Sequence, residues 1–87
     1  MSTDVKATKE WLDALVVTAR ANVAAFIDQN FSSYETKADA VRAMSAFIQE
    51  QRKLGEESKD LQAQAEYFST VIEAKAFYKR LVASRAF

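Results

Sequence analysis

The chain contains a single glycine, Gly55, and no proline among its 87 residues. A sheet protein of this length needs several tight turns, and tight turns draw on those two residue types. The sequence therefore excludes an all-β fold and predicts an all-α one. Hydrophobic residues make up 49% of the chain, which is enough for a small core. We expect residues 1–87 to form a single all-helical domain.

Histidine and cysteine are also missing from the sequence. Their absence excludes disulfides, thiol catalysis, histidine acid–base chemistry and the usual zinc sites. One glycine cannot build a phosphate-binding loop or a nucleophile elbow. The carboxylate pairs spaced by four residues, Glu35 with Asp39 and Glu56 with Asp60, are typical of solvated helix faces. We therefore expect no enzyme activity, no cofactor and no metal site.

Charge is balanced, with 12 basic and 12 acidic residues. A net charge of zero disfavours a nucleic-acid-binding protein. No segment without a charged residue is longer than residues 21–27, and a segment of that length is too short to span a bilayer. Residues 1–9 are polar and have no signal-peptide pattern. These features predict a cytoplasmic protein that does not act at a membrane.

Apolar residues recur with the period of a helix in three segments. We predict helices over about residues 4–30, 33–54 and 59–84. Short links between long amphipathic helices favour an antiparallel three-helix bundle. An alternative stays open, a helical hairpin in which the second and third helices are continuous through Gly55. The residues that support this alternative are spaced by seven and are Phe47, Leu54, Leu61 and Phe68.

Polar residues and the glycine predict where the first two helices begin or end. Ser2 or Thr3 is the expected N-cap of the first helix. Ser32 and Glu35 match a capping box, in which the serine oxygen and the glutamate each accept a free backbone amide, so the second helix should begin just after Ser32. Gly55 falls where a glycine would cap the end of that helix.

The third predicted helix carries two apolar stripes, whereas a helix of a three-helix bundle needs one. The first stripe, which we take as the core stripe, consists of Leu61, Ala65, Phe68, Ile72 and Ala76. The second stripe consists of Tyr67, Val71, Ala74, Tyr78 and Leu81. This surplus predicts a face that packs against a second chain. The alternative is that the second stripe completes the core of the monomer.

A line of small residues lies behind the apolar stripe of the first helix, namely Ala14, Ala21 and Ala25. Small side chains let another helix approach closely, so this line predicts self-association, with a homodimer as the simplest assembly. The competing interpretation is that alanine is simply the best helix former.

By elimination, we expect a non-enzymatic interaction module: a small regulator, an inhibitor or an accessory subunit that occupies the surface of a partner protein. Its contact residues should be bulky or basic, because such side chains anchor interfaces. The candidates are Trp11, Val17, Tyr34, Tyr67, Lys75, Tyr78, Lys79, Arg80, Leu81 and Arg85, together with Phe87.

Two other functions remain alternatives. Amphipathic helices with wide apolar arcs can lie on a lipid or polymer surface. The end of the third helix interleaves aromatic and cationic side chains, which can stack on bases and neutralise phosphates. The residues that would do so are Lys75, Phe77, Tyr78, Lys79, Arg80 and Arg85.

Overall fold

The structure, a computed structural model, describes residues 8–84. These residues form three α-helices and one 3₁₀ turn, and no strand occurs among them. The helices are α1 (Lys9–Asn30), α2 (Lys37–Glu57) and α3 (Leu61–Ala83), and the 3₁₀ turn covers Phe31–Ser33. The predicted all-α fold with three helices is confirmed. Within the described range, no helix combines the length and the apolar character needed to cross a membrane.

The third helix lies between the other two. Its backbone packs against both α1 and α2, whereas α1 and α2 meet mainly where the Phe26 ring stacks on Phe47 at a centroid distance of 4.4 Å. Near the start of α1 and of α3, the Trp11 Nε1 donates to Gln62 Oε1 at 2.9 Å. At the other end, Lys37 at the start of α2 reaches the last turn of α3. Hence α2 runs antiparallel to α1 and to α3, as predicted.

Short polar side chains cap the start of all three helices. The caps are Thr8, Thr36 and Asp60, which accept the backbone N–H three residues further on at distances of 3.1, 3.2 and 2.9 Å respectively. Each bond satisfies an amide that the helix itself leaves without a partner. The helical hairpin alternative is wrong, because residues 58–60 are not helical and the Asp60 cap starts a new helix.

The predicted start of α2 is also wrong. Ser32 lies in the 3₁₀ turn and the helix begins only at Lys37, so the Ser32–Glu35 capping box does not form. Thr36 is the N-cap of α2 instead. It stands three residues before the acidic Asp39, which is the spacing of a capping box. The predicted caps Ser2 and Thr3 lie outside the described residues, and the described part of α1 begins at Lys9.

Gly55 does not end α2, which corrects a second predicted boundary. The helix continues to Glu57, and Gly55 does not have the positive φ that is typical of a capping glycine. Gly55 is buried, and a Cβ atom placed on it would lie only 2.9 Å from Cε1 of the Phe68 ring. The glycine therefore serves close packing between α2 and α3 rather than a turn.

A compact group of side chains forms the core, namely Val23, Met44, Ile48, Val71 and Ala74. Half-buried aromatic rings surround it, including Phe26, Phe31, Phe47, Phe77 and Tyr78. One fully buried polar side chain, Thr70, accepts a hydrogen bond from Asn22 Nδ2 at 3.1 Å and donates to the Glu66 carbonyl at 2.8 Å. This pair of bonds satisfies the hydroxyl and fixes the register of α3 against α1.

The two apolar stripes of α3 have opposite environments, and the expected assignment of the core stripe is wrong. Val71, Ala74 and Leu81 of the second stripe are buried between α1 and α2. In the first stripe, Leu61 and Ile72 are each 66% exposed. The second stripe thus completes the core of the monomer, because a central helix must meet two neighbours on its inner side. The first stripe is the surplus one.

Candidate functional site

The most unusual surface is the outward side of α3, which we call the outer face. It consists of Leu61, Phe68, Ile72, Lys75 and Lys79. These residues are spaced by three, four or seven positions, so they share one side of the helix. Phe68 stands at its edge, 37% exposed, where its ring packs over the glycine of α2. The outer face therefore combines large apolar side chains in water with two ammonium groups.

The two lysines of the outer face have no acidic partner within the described part of the chain. Both are exposed. The two acidic residues of α3 have other partners: Glu73 accepts a bond from Arg20 Nε of α1 at 3.3 Å, and Glu66 accepts one from Gln62 of α3 itself at 3.0 Å. The outer face is consequently positive, although the whole chain is neutral.

A second surface is the groove on the other side of α2 and α3, away from α1. It has a volume of about 810 Å³ and is lined by Lys37, Ala38, Val41, Arg42, Ser45, Ala46, Gln49, Tyr78 and Val82. We call it the α2–α3 groove. Lys37 closes one end, because its Nζ donates to the carbonyls of Val82, at 2.8 Å, and of Ser84. This ammonium also suits the negative end of the α3 dipole.

The predicted self-association residues lie together on α1. Ala14, Ala21 and Ala25 are all exposed and share one side of the helix with Val17, which is 67% exposed. This outward line lies on the side of α1 opposite its buried residues Leu15, Ala19 and Val23.

The predicted aromatic contacts are only half-buried and already have partners in the fold. Trp11 on α1 donates its ring N–H to Gln62 on α3. Tyr34 packs edge-on against the Phe31 ring at 5.6 Å. Tyr67 lines a small groove that also includes Phe26 and Phe47. These three rings do not join the outer face, whereas Tyr78 lines the α2–α3 groove.

Leu81 is a core residue with only 8% of its surface exposed, so it offers little surface to a partner. Arg80 lies over the Phe77 ring, with its guanidinium carbon 5.9 Å from the ring centroid. That ring also packs against Phe31 at 5.8 Å, so it is not free to stack on a base. The remaining candidates, Arg85 and Phe87, lie outside the described residues.

Sequence reasoning missed Val41 and Val82, which give the α2–α3 groove its apolar walls. Val41 belongs to the apolar arc of the second helix, and a central α3 was needed to bring Val82 beside it. For metal chemistry, residues 8–84 contain no group of three or more His, Cys, Asp or Glu side chains that could hold an ion.

Comparison with known proteins assigns no function. No family model matches the chain, and no curated protein or solved structure matches it either. The function is therefore inferred from the exposed side chains and their charges.

Proposed function

We propose that this protein is a non-enzymatic interaction module that binds another protein through the outer face of α3. The observation that carries the proposal is the exposure of Leu61 and Ile72, each 66%, on a helix whose other side is already buried. Full burial of a leucine or isoleucine side chain is worth about 1.5–3 kcal/mol. A partner that covers this face would gain that free energy, and exposed apolar patches commonly mark interaction sites.

The charges of the outer face specify the chemistry of the partner. Lys75 and Lys79 flank the apolar side chains and form no ion pair with another described residue. A partner with an apolar centre and acidic groups at its edge would complement both features. By covering that surface of its partner, this protein would act as a small regulator, an inhibitor or an accessory subunit. We place this activity in the cytoplasm, for which the lack of cysteine in the sequence is the supporting feature.

Protein binding is favoured over the two alternative functions. A helix that lies on a lipid surface uses one continuous apolar face. To extend its apolar face, α3 would have to leave α1 and α2 and expose Val71, Ala74 and Leu81, which form the core. Nucleic-acid binding through stacked aromatics loses support because Phe77 packs inside the bundle. A folded bundle that presents a small mixed apolar and basic face is better suited to a protein surface.

Site-specific cross-linking tests the proposal. A photo-reactive amino acid in place of Ile72 should form a covalent adduct with a different protein in living cells. The matched control carries the same amino acid in place of Glu50, an exposed residue of α2 outside the outer face, and should not form that adduct. Adding Lys75→Glu and Lys79→Glu should remove the adduct, since the charges would then repel an acidic partner.

The adduct partner can then be purified and its affinity measured by calorimetry. Ile72→Glu should weaken binding at least about tenfold, as expected for a central apolar contact. An adduct with lipid, an adduct equally strong from position 50, or an affinity unaffected by Ile72→Glu would each contradict the proposal.

A further inference from the structure

The α2–α3 groove is an apolar and basic surface that the outer face does not include. Its walls are Val41, Tyr78 and Val82, and its two charged lining residues, Lys37 and Arg42, are both basic. Arg42 forms an ion pair with the half-buried Asp39 of its own helix, at 3.2 Å. Within the described part of the chain, no acidic residue lines the groove. An occupant should therefore be narrow, apolar along its centre and acidic.

The same chain carries a surface with these properties on α1. Glu10 and Asp28 extend the outward line of α1 at its two ends, so that it runs from Glu10 through Ala14, Val17, Ala21 and Ala25 to Asp28. All six residues are exposed, and successive members are spaced by three or four positions. Neither acidic residue of this line forms an ion pair with another described residue. The line therefore has small side chains in its centre and an acidic side chain at each end.

We propose that the α2–α3 groove receives the outward line of α1 from a second copy of this chain. Charge complementarity supports this occupant, because among residues 8–84 the charged residues that line the groove are basic and those of the line are acidic. Val17, which is 67% exposed, would pack between Val41 and Val82. The line spans about 27 Å and the groove, from Lys37 to Gln49 on α2, about 18 Å at 1.5 Å per residue, so the groove can hold about two thirds of the line, including Val17 and one acidic end.

This contact joins two different surfaces, and that determines the kind of assembly. The groove is lined by α2 and α3 alone, and the line lies on the side of α1 opposite its buried residues. Each copy therefore offers one groove and one line on separate sides. A contact between unlike surfaces is heterologous, so it repeats from copy to copy and builds open chains or a ring rather than a closed two-fold dimer. Leu61 and Ile72 do not line the groove, so the partner-binding surface is separate.

A complementation experiment tests the assembly with two single variants. Val17→Lys puts a positive charge on the line of α1 and leaves the groove intact. Val82→Glu puts a negative charge in the groove and leaves the line intact. Both positions are exposed, at 67% and 49%, so both variants should keep wild-type helix content by circular dichroism.

Light scattering on a sizing column provides the readout. Wild-type mass should increase with concentration, each variant alone should stay monomeric, and an equimolar mixture of the two variants should associate. Ile72→Glu should self-associate like the wild type while losing partner binding, which separates this inference from the proposed function. A monomeric wild type, a monomeric mixture, or stable dimers of either single variant alone would overturn it.

Discussion

Replacing Val71 with glutamate should unfold the protein, whereas the same replacement at the neighbouring Ile72 should leave its stability almost unchanged. Val71 is 5% exposed in the core, and Ile72 is on the outer face. Val71→Glu loses about 1.5–3 kcal/mol of apolar burial and places a carboxylate in the core at a cost of several kcal/mol more. A domain of this length has a free energy of unfolding of roughly 4–13 kcal/mol, so little of it should remain.

The matched change at Ile72 is the control, because it introduces the same side chain one position further along the same helix. Its effect should stay within about 0.5 kcal/mol, as is usual for surface substitutions. Urea unfolding followed by circular dichroism measures both. If the two variants were equally unstable, or if Ile72→Glu were the worse, the assignment of the inner and outer stripes of α3 would be wrong.

Met44→Ala should produce the next largest loss of stability. Met44 on α2 is fully buried at the centre of the core, against α3. Truncation of a buried methionine to alanine leaves a cavity and costs about 2–5 kcal/mol. For a domain of this size, that corresponds to a melting temperature lower by about 10–30 °C. A thermal unfolding curve provides the measurement.

Met44→Leu serves as the control for this prediction, because it preserves most of the buried volume and should cost less than about 1.5 kcal/mol. A loss below about 1 kcal/mol for Met44→Ala would show that α2 does not pack tightly against α3 at this point.

The sequence was sufficient to predict the class of fold and the number of helices, because a helical apolar period and the near absence of turn residues both depend only on local pattern. It was less informative about helix ends. Ser32 and Thr36 both stand at the start of a capping pattern, and the helix begins at the second of them. Gly55 could serve either as a cap or as a site of close approach, and only the position of Phe68 distinguishes these roles.

The two stripes of α3 could not be ranked from the sequence alone, because both are apolar and both have helical spacing. One signal did point to the correct choice. Lys75 and Lys79 lie on the stripe of Leu61 and Ile72, and exposed lysines on a stripe are better explained by an outward face than by an interrupted core. The α2–α3 groove was beyond prediction, since its walls come from two helices whose relative placement no local pattern specifies.

Chemical labelling of single cysteines tests most directly whether α3 keeps one stripe inside the fold and offers the other to a partner. The natural chain has no cysteine, so Val71→Cys and Ile72→Cys can each be studied without background. In native buffer at low protein concentration, the thiol in place of Ile72 should react with a water-soluble maleimide nearly as fast as in the unfolded chain. The thiol in place of Val71 should react at least about a hundredfold more slowly, because it must wait for the helix to open. Equal protection at the two positions would contradict the existence of an exposed outer face, and with it the binding function proposed for that face.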